Sequence, residues 1–129
     1  MLVFGGIRRD ELLGISLQEI LTIEGVSAYY LDSLGCVYRY LPKEGGRLWV
    51  EYYLDTLKRV RTLTLTWEHE DFSVLTQGYQ RIRSFYTQRY GKAEGPVGNI
   101  HWKTPHKKHI HLRISPERRY IHLAMYAAE

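Results

Sequence analysis

Nearly every histidine of this 129-residue chain falls within its last thirty residues, interleaved with cations and tyrosines at a spacing of two. In Asn99–Lys103, His109–Ser115 and Tyr120–Tyr126 the side chains alternate in character, as they do on a strand whose two faces meet different surroundings. Ile100, Trp102, Ile110, Leu112, Ile114, Ile121, Leu123 and Met125 fall on one face. His101, Lys103, His109, His111, Arg113, Tyr120, His122 and Tyr126 fall on the other. The first set is a core face and the second a candidate binding surface.

Three kinds of chemistry suit such a surface. Imidazoles on adjacent strands lie ~5 Å apart when opposite and ~7–8 Å apart on the diagonal. His101, His111 and His122 could therefore ligate zinc and leave a fourth position open. Lys103 and Arg113 on the same face oppose a dication, and no carboxylate on these strands orients an imidazole. The expectation is therefore no metal and no other cofactor.

Acid–base catalysis has one neighbourhood in sequence, Glu68-His69-Glu70-Asp71. These acidic residues precede a helix, where its dipole favours them without any catalytic role. Cys36 stands alone, outside any nucleophile context, and no serine sits in a nucleophile elbow. Phosphate-binding glycine patterns are missing, and Gly5-Gly6 and Gly45-Gly46 suit ordinary turns. No catalytic residue is expected, which leaves binding.

Composition points the same way. Hydrophobic content of 44% and charged content of 25% suit one globular domain over residues 1–129. Eleven tyrosines and three tryptophans supply large side chains that tolerate half-exposure. The net charge of +4 is unevenly spread. Residues 1–71 carry eight Lys/Arg against eleven Asp/Glu, whereas residues 72–129 carry ten against three. A balance of −3 followed by +7 calls for an acidic partner at the C-terminal half. No run resembles a secretory signal or the ~20 apolar residues of a membrane span, so the expected location is cytoplasmic and no membrane partner is expected.

The elements that would position these residues can be read in order. Ser16-Leu17-Gln18-Glu19 is a capping-box pattern, and Gly25 suits the position after a short helix. Strand runs follow at Cys36–Leu41, Leu48–Leu54 and Lys58–Trp67, the last with Thr62, Thr64 and Thr66 as a hydroxyl face. Tyr38, Tyr40 and Tyr52 are assigned to the core, while Tyr29-Tyr30, Trp49 and Tyr53 form a second aromatic group. Asp71 or Ser73 caps a second helix extending to about Tyr90, with Leu75, Tyr79, Ile82, Phe85 and Tyr86 at helical spacing and Gly91 as its stop. Gly95, Pro96 and Gly98 mark a loop before the three C-terminal strands. The loop 116–119 should pair Ile114 with Ile121 and Arg113 with His122.

The expected class is α+β, two helices on antiparallel sheet in the order α-βββ-α-βββ. Residues 14–67 and 71–126 read as units of a degenerate tandem repeat. This layout resembles the helix-plus-meander modules of the outer-membrane assembly lipoprotein BamE and of the beta-lactamase inhibitor protein. The likeness includes an aromatic-rich helix ending Tyr90-Gly91, then a proline loop, then a strand bearing Trp102. It implies a module that binds other proteins across its sheet or loops.

The expectation is thus a non-enzymatic binding module, an inhibitor or immunity-type protein that recognises an acidic protein surface. Arg113, Lys103, His111, His122 and Tyr120 stand at the centre of the contact, with His109 and Tyr126 beside them. Lys107, Lys108, Arg118 and Arg119 are assigned to the rim. The alternative partner is single-stranded nucleic acid, for which the same cations meet phosphates and the same rings stack on bases. The RNP pattern of the common RNA module is missing from the strands.

Overall fold

The computed structural model describes residues 3–4 and 7–127; Gly5 and Gly6 lie outside them. Two antiparallel strands, β1 (Val3–Phe4) and β2 (Ile7–Arg8), lead into a 3-10 turn at Arg9–Glu11. Helix α1 (Leu17–Glu24) follows. Its cap forms as the residues require: the Ser16 hydroxyl accepts from the Glu19 amide, and Gly25 ends the helix at φ +68°. Strands β3 (Tyr30–Asp32), β4 (Gly35–Tyr40), β5 (Arg47–Leu54) and β6 (Val60–Glu68) come next. The 19-residue helix α2 (Phe72–Tyr90) precedes β7 (Asn99–Lys103), β8 (Lys108–Ser115) and β9 (Tyr120–Ala127).

Strands β3 to β9 form one antiparallel sheet in the order β3-β4-β5-β6-β9-β8-β7. The last strand of each half meets at its centre, where Leu65 pairs with Leu123. Outward from that seam run β5-β4-β3 on one side and β8-β7 on the other. The hairpin joining β8 and β9 has the expected register, pairing Ile114 with Ile121 and Arg113 with His122. The α+β class and the helix-strand order are as the sequence implies. Sequence periodicity did not announce β1, β2 or β3, each only two or three residues long.

Both helices pack on the same face. Leu75, Tyr79, Ile82 and Tyr86 line the buried side of α2, and Tyr86 lies against Trp102 with ring centroids 5.4 Å apart. Gly78 brings α2 close to the sheet, since a Cβ there would stand 3.2 Å from both Ile121 and Trp67. Strands supply Val50, Tyr52, Leu63, Leu65, Leu112, Ile121, Leu123 and Met125 to this core, all at most 1% exposed. Tyr38 and Tyr52 are buried as expected, while Tyr40 is half-buried.

The turn at Arg9–Glu11 lies between the two helices and is held by charge. Arg9 donates through Nε and Nη2 to the Glu24 carboxylate, each at 2.8 Å, and the Tyr40 and Tyr52 hydroxyls donate to the same group. Burial works to raise the Glu24 pKa, but these hydrogen bonds outweigh it and hold the carboxyl below its ordinary range. Asp10 in turn accepts from the Tyr86 hydroxyl at 2.8 Å and from Arg8. One short segment thereby ties α1, α2 and the sheet together.

Candidate functional site: the uncovered sheet face

With both helices on one side, the opposite sheet face carries no covering element among the described residues. The two-residue alternation sorts the C-terminal strands as the sequence implies. Ile100, Trp102, Ile110, Leu112, Ile121, Leu123 and Met125 are buried, and Ile114 is half-buried. His101, Lys103, His109, His111, Arg113, Tyr120, His122 and Tyr126 are exposed or half-buried on the other side.

Cross-strand pairing arranges the open face in rows. One row runs Arg39, Trp49, Thr66, His122, Arg113, Asn99 across six strands, a width of about 24 Å at normal strand spacing. The next runs Val37, Glu51, Thr64, Ala124, His111, His101, so small residues occupy its middle. A third places Tyr53, Thr62, Tyr126, His109 and Lys103 side by side, with the His109 and Tyr126 rings stacked at 5.1 Å. Arg113 sits over the Tyr120 ring at 5.6 Å, within cation–π range.

The three imidazoles are neighbours, but each is engaged elsewhere. His101 lies opposite His111, and His111 is diagonal to His122. His101 Nε2 is 3.2 Å from the Glu94 carboxylate, His111 Nε2 contacts the Asn99 side-chain oxygen, and His122 Nδ1 contacts the Thr66 hydroxyl at 2.9 Å. No group of three His, Cys, Asp or Glu side chains converges as metal ligands do among the described residues. Desolvation lowers the pKa of both His111 and His122. His101 and Arg113 push His111 further down, and Arg113 does the same to His122.

The rim is only partly where the sequence placed it. Lys107 is exposed in the β7–β8 turn at φ +55°. Lys108 is a correction. It is one step out of phase with His109, so its side chain lies on the helix side, with Nζ 3.5 Å from the Asp10 carbonyl. Arg118 and Arg119 are exposed at the opposite end of the sheet, and Arg119 donates to the Glu70 carbonyl at 2.9 Å. These two arginines flank an open depression of about 640 Å³ that also involves Arg47, Glu68 and His69.

The remaining chemical candidates have structural duties. His69 accepts the Asp71 amide at Nδ1, and its Nε2 meets the Glu44 carbonyl at 2.8 Å. With both ring nitrogens committed to backbone, the imidazole fastens the start of α2 to the β4–β5 turn. Asp71, adjacent to it, is the N-cap, accepting from the Ser73 amide at 2.9 Å. Burial pushes the Cys36 thiol up to about 11, far from a thiolate at neutral pH.

Sequence reasoning missed Arg39 on this face. It stands over both Tyr29 and Trp49, at 5.1 and 5.9 Å, and those two rings meet edge to face at 5.2 Å. The alternation of Val37 and Arg39 with Cys36, Tyr38 and Tyr40 carried the signal. The open face therefore has an aromatic–cation group at each end, with threonines between. Compared with known protein families, characterised proteins and solved structures, the chain matches none.

Proposed function

We propose that the protein is a non-enzymatic binding module that uses its open sheet face to dock on an acidic protein surface, as a stoichiometric inhibitor or immunity-type protein does. The observation that carries this reading is the segregation itself: both helices cover one face, and the other presents Arg39, Trp49, His122, Arg113, His111 and Lys103 on a rigid sheet. Arginine and aromatic anchors on a fixed scaffold give affinity at low entropic cost. Two carboxylates of this face, Glu51 and Glu68, accept from the Tyr53 hydroxyl and the Trp49 indole. Glu68 also pairs with Arg47 and Glu94 with His101, so Arg39, Lys103 and Arg113 are the cations this face offers an acidic partner.

Affinity capture from the native cells tests this, comparing the wild-type chain with a Lys103→Ala/Arg113→Ala/His122→Ala variant after nuclease treatment. The expected result is a protein retained by the wild type at equal stoichiometry and lost from the folded variant. A captured species that nuclease removes, with affinity falling steeply with salt, assigns the face to single-stranded nucleic acid instead. Equal capture by both chains overturns the assignment of the face.

A further inference from the structure

The two edges of the seven-stranded sheet are treated differently. The β7 edge is closed by its own chain, since Glu94 and His101 exchange both backbone hydrogen bonds at 2.9 Å. Among the described residues, the β3 edge has a strand on one side only. Tyr30 is 57% exposed and Leu31 51%, and Val26, Tyr29 and Leu34 are exposed nearby. An open edge with greasy side chains is a pairing template that natural sheets otherwise shorten, charge or cover.

From this we infer that β3 pairs antiparallel with β3 of a second copy of the chain, across a two-fold axis at Leu31. The strand is its own complement. In that register Leu31 faces Leu31 of the other copy, and Tyr30 faces the other copy's Asp32 in both directions, as an isologous interface requires. Within one chain the nearby Asp32 carboxylate holds the Tyr30 phenol in its protonated, donating form, so the same donor and acceptor can meet between copies. Charge favours the second copy too. Although the chain carries +4, residues 26–34 hold no cation, and their one formal charge is Asp32. Lys58 from the β5–β6 turn stands beside this edge, its Nζ donating to the Ser33 carbonyl at 2.7 Å and its charge acting on Asp32, so two such edges meet close to neutrality.

The axis stands perpendicular to the sheet, so both open faces end on the same side and both helix layers on the other. The dimer thereby doubles the proposed docking surface without covering it, and a partner with repeated acidic sites would gain avidity. Three residues of pairing plus flanking side chains bury less than a standard interface, which sets the expected dimer in the weak, concentration-dependent class.

Sedimentation velocity on the full chain from about 5 to 500 μM tests the inference. A monomer–dimer equilibrium is expected. Leu31→Lys, which brings two ammonium groups face to face, should weaken the dimer by at least about tenfold. Val97→Lys, at another exposed apolar position, should leave it unchanged. Circular dichroism checks the fold of each variant; should Leu31→Lys not fold, Tyr30→Ala decides, with a smaller weakening in the same direction. A monomer at every concentration, or a dimer unmoved by the deciding variant, overturns the inference and leaves this edge to a strand from another protein. Neither result touches the open face, whose capture experiment stands separately.

Discussion

At the scale of single residues, the histidines make the proposed contact a function of pH. Desolvation and Arg113 keep His111 and His122 neutral to lower pH than a free imidazole. An acidic partner favours their charged forms, so binding should tighten as pH falls below ~6.5 and level off once both rings are protonated. Calorimetric titration across pH 5 to 8 checks this, and a flat profile removes the histidines from the contact. Folding responds in the opposite sense. A folded-state pKa below the unfolded value means that the unfolded chain binds the proton first, so stability declines as pH drops through ~6.5. His122→Gln should flatten that part of a urea-denaturation series. Arg113, held over Tyr120, should cost about 1–2 kcal/mol of affinity when cut to alanine. Lys107, extended from a turn at the margin, should cost a few tenths and act mainly on association rate.

At the scale of elements, the closeness of α2 to the sheet rests on a missing side chain. Gly78 faces Ile121 and Trp67 with room for little more than its hydrogen. Gly78→Leu should force the helix outward and destabilise the fold by about 1–3 kcal/mol in chemical denaturation, as overpacked cores do. Ser16 gives a milder case. Alanine there removes the acceptor of the Glu19 amide and should cost about 1 kcal/mol, whereas Asn should restore most of it. The Ser16 cap and the Leu75-Tyr79-Ile82 stripe were legible beforehand, because caps and helical stripes depend on residues within one or two turns of each other, whereas the close approach at Gly78 was not. The three-residue β3 escaped because a strand that short carries too few alternations to establish a period.

For the whole molecule, the buried Arg9–Glu24 pair joins the N-terminal segment, α1 and β5 in one network. Glu24→Ala leaves a guanidinium in the interior without its carboxylate and two tyrosine hydroxyls without their acceptor. The expected loss is about 3–5 kcal/mol in denaturant unfolding. The same network sets an acid limit. Since the Glu24 carboxyl is held below the ordinary value of 4.5, its stabilisation is complete above that pH and is lost as pH falls through the folded-state pKa. Acid unfolding of the wild type should therefore show a later phase below about pH 4.5, distinct from the histidine phase above it. Replacing Arg9 and Glu24 together by well-packed apolar residues should abolish the later phase.

The residues of the C-terminal strands were sufficient to say which side chains share a face, because a pleated strand sends its neighbours to opposite sides whatever surrounds it. They were sufficient also for the β8–β9 register, since a four-residue loop leaves the strands no other in-phase pairing. Local pattern could not say which strands meet at the centre, which edge stays open, or that the Arg39–Trp49 group shares a row with His122 and Arg113. Those relations join residues more than fifty positions apart through the β6–β9 seam, where side chains from both halves of the chain meet. Lys108 shows the same division in one side chain: its basic type suggested the rim, and one step of strand phase turned it toward Asp10 instead.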